Sequence, residues 1–101
     1  MLKINMEYRK GILFVRLKGS LTRYNYLKFN NYMHSIIKDK GINYLVFNLE
    51  LVKLIDHEGR ECLKELLKEV KEGFICNSIF KLDNNFMIIE NELVAFNTIK
   101  I

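Results

Sequence analysis

A chain of 101 residues, half of them hydrophobic and 28% charged, has the size and balance of one globular domain spanning residues 1–101. That length buries a core without help from disulfides or a metal, and no apolar run approaches the roughly 18 to 20 residues of a membrane span. The net charge of +4 comes from lysines scattered among acids and asparagines (Lys3, Lys18, Lys28, Lys40, Lys53, Lys71, Lys100), not clustered beside aromatic residues, which argues against a specific nucleic-acid interface.

In chain order, MLKINMEYRK lacks the apolar stretch of a secretion signal, so the cytoplasm is the expected location. Ile4 to Tyr8 reads as a strand and Arg9-Lys10-Gly11 as a hairpin turn. Ile12 to Leu17 (ILFVRL) is almost wholly apolar, as expected of an inner strand covered on both faces, with Gly19 closing it. From Asn25 to Lys38 the apolar residues switch to helical spacing, with Tyr26, Phe29, Met33, Ile36 and Ile37 on one stripe, Asn25 as N-cap and Gly41 as stop. Tyr44 to Leu49 (YLVFNL) is a second buried strand. A strand, a helix and a strand make a crossover, so these two strands are expected to be parallel.

A second helix follows, capped by Asp56 and ended by Gly73. Its buried face is Cys62, Leu63, Leu66, Leu67 and Val70, and its outer face pairs Glu61 with Lys64 and Glu65 with Lys68. Phe74 to Phe80 reads as a strand, Asp83-Asn84-Asn85 as a turn and Phe86 to Ile89 as a further strand. Glu90 to Lys100 reads as a terminal helix started by Asn91, with Leu93, Phe96 and Ile99 inward. The fold class is α/β: a mixed sheet of four to five strands with helices packed on it. Cys62 and Cys76 both lie in apolar segments and read as reduced core residues, with a redox pair as the alternative.

Asp56-His57-Glu58 has the residue types of acid–base catalysis. Neighbours at a helix start nevertheless point about 100° apart and do not converge on one substrate atom. The other histidine, His34, has no fixed relation to His57, and no HExxH, CxxC, P-loop or GxGxxG spacing is present. The expectation is therefore no enzyme, no catalytic residue, no metal and no cofactor. Asp56 and Glu58 suit a helix N-terminus, as cap and as charge at the positive end of the dipole; His57 does not, and reads as neutral and exposed.

YLVFNLELVKLIDHEG leading into the second helix resembles a STAS domain, and more narrowly the anti-sigma factor antagonists. The family's ILxVRLxGELD corresponds to Ile12 through Thr22. Its IVLNLxxxxxMDSSG corresponds to Leu45 through Leu49 and on to Ile55-Asp56-His57-Glu58-Gly59. The resemblance runs to about Gly73. It implies a STAS-like single domain that binds a protein partner, in which the serine after the motif aspartate is phosphorylated by a partner that is both kinase and anti-sigma factor. The implied partner is such a serine kinase of the histidine-kinase-like ATPase fold, or another STAS protein. The implied surface is Ile55, Asp56, His57, Glu58, Gly59, Arg60 and Glu61 with Lys64, Glu65 and Lys68 of the second helix.

Several positions depart from the family pattern. His57 occupies the phosphoacceptor-equivalent position, Glu58 the second Ser/Thr, and Ser20 and Thr22 replace the acids of GELD. Lys81 to Asn85 is too short for the family's usual third helix. The expectation is a module no longer switched by serine phosphorylation. Binding of a small ligand such as a nucleotide or lipid, or a place in a larger assembly, is the alternative, with weak nonspecific nucleic-acid binding a third.

Overall fold

The two-residue loop Lys10-Gly11, with φ of 48° and 85°, makes the turn whose twist matches that of the strands it joins. It pairs β1 (Leu2–Arg9) with β2 (Ile12–Leu21) antiparallel, in unbroken register from Leu2 opposite Gly19 to Arg9 opposite Ile12. The structure, a computed structural model, describes residues 1–78 and 86–99. From β2 the chain crosses through α1 (Tyr26–Lys40) to β3 (Tyr44–Ile55), parallel to β2. It then crosses through α2 (His57–Lys68) to β4 (Glu72–Cys76), parallel to β3. β5 (Ile88–Ile89) adds a short parallel edge, and α3 (Glu92–Thr98) follows. The five strands lie in chain order, and the sheet is mixed because only β1 runs against its neighbour.

The apolar runs are covered on both faces, as their composition requires. Leu13, Val15 and Leu17 of β2 and Leu45, Phe47 and Leu49 of β3 pack against Phe29, Met33, Leu63 and Leu66 of α1 and α2. The alternate residues Ile12, Phe14 and Val46, with Phe74 and Cys76, pack against Ala95 and Ile99 at the other face. Truncating a large buried side chain here, such as Leu63, to alanine costs about 2–5 kcal/mol.

Several boundaries differ from expectation. β2 does not close at Gly19 but continues to Leu21 through an irregular register, with Gly19 at φ 104° inside it. α2 stops at Lys68, not Gly73, because the carbonyl of Asn43 accepts the amides of both Lys71 and Glu72 and draws the chain into the sheet early. Gly73 belongs to β4, where a Cβ would meet Leu67 Cδ2 at 2.5 Å. Gly41 does end α1 in the left-handed conformation. In α3, Leu93 is 68% exposed and Ala95 takes the inward place. The end of the fourth strand at Phe80, the turn at 83–85, the stretch at 81–85 too short for a third family helix and the terminus at Lys100 lie outside the described residues.

α3 is held by a charged group as well as by its apolar contact with the sheet. Arg16 of β2 donates from Nε and Nη2 to the two carboxylate oxygens of Glu92 at 2.8 and 2.7 Å, a forked pair of charge-assisted bonds. The same guanidinium donates to Glu7 at 2.9 Å and Asn5 at 3.1 Å on β1, and Asn48 of β3 donates to Glu92 at 2.8 Å. Arg16 thus ties β1, β2, β3 and α3 together. Hydrogen bonding from Arg16 holds the Glu92 carboxyl below its ordinary value, against partial burial and with help from Asn48. Because the folded value is depressed, the stabilisation is present above the unfolded glutamate value near pH 4.3 and is lost as acid protonates Glu92. Glu92→Gln is expected to cost about 1–2 kcal/mol at neutral pH, discounted for the partly exposed arginine. It also flattens the loss of stability between about pH 5 and pH 3. Urea denaturation across that range measures both effects.

Candidate functional site

The site forms where β3 hands over to α2. Asp56 N–H donates to the Leu21 carbonyl at 3.3 Å, so the ends of β2 and β3 stay paired to the start of the helix. Asp56 is extended, with φ −97° and ψ −172°, and its carboxylate faces two backbones at once. Oδ1 accepts the Gly59 amide at 2.9 Å, capping α2, and Oδ2 accepts the Arg23 amide at 2.8 Å, fixing the β2–α1 connection. Burial works to raise the pKa of this carboxyl, but the two amides and the Arg23 charge outweigh it and hold the group ionised below its usual range.

Gly59 is buried against the β2 end. A Cβ there would lie 2.3 Å from the Leu21 carbonyl oxygen and 3.0 Å from Ile55 Cγ1, so glycine is what allows the helix this close. Ile55 is 4% exposed and belongs to the core. The expectation that Ile55 and Gly59 present side-chain surface to a partner is thereby corrected: both face inward and set the height of what surrounds them. Arg60 donates to the Ile55 carbonyl at 3.2 Å, closing the turn from the other side.

The remaining expected residues stand on one outer margin of α2. His57 is exposed and makes no side-chain hydrogen bond among the described residues; Glu58, Arg60, Glu61 and Lys64 are half-buried, and Glu65 and Lys68 are exposed. The pairs Lys64–Glu61 and Lys68–Glu65 form at 3.8 and 3.5 Å. At such separations and exposures they contribute a few tenths of a kcal/mol each.

The structure adds neighbours that the sequence did not single out. Asn25 is the N-cap residue of α1, as expected, but its side chain makes no capping bond and turns back instead, accepting from Thr22 N–H and donating to the Ser20 carbonyl, both at 2.8 Å. That closes the connection and pushes Arg23 and Tyr24 outward beside the start of α2. The Arg23 guanidinium lies 4.9 Å from the Tyr24 ring centroid and donates to its hydroxyl at 2.7 Å, and Tyr24 is 82% exposed. Among the described residues β3 has no partner on the β4 side beyond Asn48, and exposed Leu51 and Leu54 stand along that stretch. No simple alternation marks them: Leu49, Val52 and Ile55 are buried and the pairs between them exposed, a spacing of three that a regular strand pattern does not predict.

The carboxylate of Asp56 is committed to amides, and His34 is bound instead to Glu69 beyond the far end of α2, at 2.6 Å. Cys62 and Cys76 lie in the cores on opposite faces of the sheet, which separates them as a redox pair; burial pushes both thiols up to about 12. Among the described residues no three His, Cys, Asp or Glu side chains are grouped to hold a metal ion, and no helix is long and apolar enough to cross a membrane.

Comparison with known proteins gives a consistent picture. The family model of the STAS domain matches residues 3–77. A putative anti-sigma factor antagonist from Thermotoga maritima superposes with a TM-score of 0.83 at 17% identity, over 94% of this chain and 92% of that one. An anti-sigma factor antagonist from Mycobacterium paratuberculosis gives 0.82 at 14% identity, over 97% and 93%. The anti-sigma factor antagonist SpoIIAA in its unphosphorylated form gives 0.73 at 14% identity, over 95% and 96%. At these identities the likeness establishes the fold.

The close approach of Gly59 to Leu21 yields a direct check. Gly59→Ala forces Cβ onto a backbone carbonyl that cannot rotate away, and is expected to cost about 1–3 kcal/mol. A melting temperature unchanged from wild type would contradict this account of the α2 start.

Proposed function

The chain belongs to the STAS domain family, and from that premise we propose that it is a non-catalytic, regulatory protein-binding module of the anti-sigma factor antagonist kind. Its partner surface is the outer margin of α2 from Asp56 to Lys68, together with Arg23 and Tyr24. The partner is a serine kinase of the histidine-kinase-like ATPase fold that doubles as an anti-sigma factor, or another STAS protein, in the cytoplasm. One observation carries this reading: His57 stands exposed on the first residue of a helix whose aspartate cap and supporting glycine are in place. The scaffold of the family's switch position is kept while its hydroxyl is not.

Phosphorylation at that position adds about −1.5 to −2 charge in the middle of a partner surface. An imidazole carries no phosphoryl group, and Glu58 beside it offers a planar carboxyl with two oxygens in place of a phosphate's three. The module is therefore not toggled by serine phosphorylation, and its complex persists whether or not the kinase turns over ATP.

The test uses a purified kinase of this class, with affinity and intact mass read together. Wild type is expected to bind and gain no phosphate in the presence of ATP, whereas His57→Ser gains one and then dissociates. Paired His57→Ala and Glu58→Ala substitutions weaken binding by about 2 kcal/mol or more if these residues lie at the centre of the interface. Stoichiometric phosphate on wild type would show that a serine or threonine switch persists elsewhere. Equal affinity of wild type and the double variant would remove this patch as the interface.

A further inference from the structure

We propose that β1 is a self-complementary edge through which two copies of this chain pair, antiparallel about a two-fold axis at Asn5, into one continuous sheet. Among the described residues β1 lies at the margin of the sheet, with β2 as its one partner. Edge strands left long and regular are templates for another strand, and proteins that avoid this use proline, bulges, very short edges or charged side chains. β1 has no proline or bulge, is 8 residues long and keeps an unbroken register with β2; it does carry Lys3, Glu7 and Arg9, whose order along the strand decides which registers they oppose. The opposite margin, β5, is 2 residues long.

Which backbone groups face outward follows from both ends of the strand. Ser20 N–H donates to the Met1 carbonyl at 3.2 Å, and the two-residue turn closes Arg9 onto Ile12. Hydrogen-bonded and non-bonded positions alternate along an antiparallel pair. Met1, Lys3, Asn5, Glu7 and Arg9 therefore exchange bonds with β2, while Leu2, Ile4, Met6 and Tyr8 direct their amides and carbonyls to the open edge. A second β1 joins the ladder only in registers that set even positions opposite even ones.

Charge selects among those registers. With the axis at Asn5, Lys3 faces Glu7 of the second copy on the α3 side, twice by symmetry. On the α1 side, Leu2 faces Tyr8 and Ile4 faces Met6. Moving the axis to Met6 sets Lys3 against Arg9, and moving it to Ile4 loses the Lys3–Glu7 pairs and leaves Tyr8 without a partner. Like charges directly opposite destabilise a sheet pair, and unlike charges and apolar pairs stabilise it.

The α1 side has space for the exchange. Clefts of about 440 Å³ and 400 Å³ lie between β1 and α1, one walled by Leu2, Ile4 and Tyr32, the other by Met6, Tyr8 and Ile36. Tyr8, 60% exposed in the single chain, falls at the mouth of the second copy's first cleft.

Asn5→Cys provides the decisive test. On the two-fold axis, and at a non-bonded position, the two cysteines have Cα atoms about 4.5 Å apart, within disulfide range. Mild oxidation is expected to convert Asn5→Cys to a covalent dimer, with Lys3→Cys and wild type remaining uncrosslinked, since Cys62 and Cys76 are buried. In analytical ultracentrifugation wild type sediments as a concentration-dependent dimer. Lys3→Glu, with native circular dichroism, dimerises about tenfold more weakly because two attractive pairs become repulsive. A wild type that stays monomeric at high micromolar concentration overturns the proposal. So does crosslinking of Lys3→Cys as fast as Asn5→Cys, or a Lys3→Glu dimer as tight as wild type.

Discussion

Asp56 has one carboxylate and two obligations, and the region between the sheet and α2 depends on its meeting both. Its first oxygen fills the orphan amide of the α2 first turn; its second fixes Arg23 in the β2–α1 connection. Had the cap been a serine, a single hydroxyl oxygen could serve Gly59, but the Arg23 amide would need another partner. The bidentate use of the group explains why the carboxyl is held ionised despite the cost of partial burial. It also means that both oxygens already serve as structural acceptors, the role that a helix cap requires.

Arg16 performs the corresponding task on the other face. The α1 and α2 side of the sheet is sealed by a continuous apolar core, but α3 is a helix of only 7 residues with one fully buried side chain, Ala95. Apolar burial of that extent is too small to fix so short a helix by itself. The forked Arg16–Glu92 contact, with Asn48 holding the second carboxylate oxygen, supplies direction as well as attraction. The two faces are thus anchored by different physics, one by area and one by charge geometry, and acid weakens the second more than the first.

This difference also decides what the sequence could disclose. ILFVRL and YLVFNL announced doubly covered parallel strands because composition alone reports burial on both faces. The second helix was legible from its period and its Asp56 cap. Arg16, by contrast, is one polar residue in an apolar run, and its partner lies 76 positions away, so nothing local marks it. Asn25 has the right residue type for a cap and was spent instead on its own loop, a competition between local hydrogen bonds that propensity does not rank. The boundary errors at Gly19 and Gly73 share a cause: glycine was taken as a stop signal where it served close approach, of Met1 to β2 and of Leu67 to β4. At the candidate site, position and chemistry of His57 and Glu58 were readable. The neighbours Arg23 and Tyr24 were not, because a tertiary bond from Asp56 brings them there.

The arrangement of the margins bears on how such a module would work. α1 lies between the β1 edge and α2, so a second copy added at β1 leaves the α2 margin of each copy uncovered. A two-fold pair then displays two identical partner surfaces on one rigid sheet, with spacing fixed by strand pairing and not by a linker. For a partner that is itself two-fold, the second contact forms at the effective concentration set by that spacing, and modest single-site affinity is multiplied without any new contact. On the proposed reading, serine phosphate does not set the occupancy of this module. Assembly through β1 would make its own concentration the controlling variable, since the bivalent form grows with the amount of chain present.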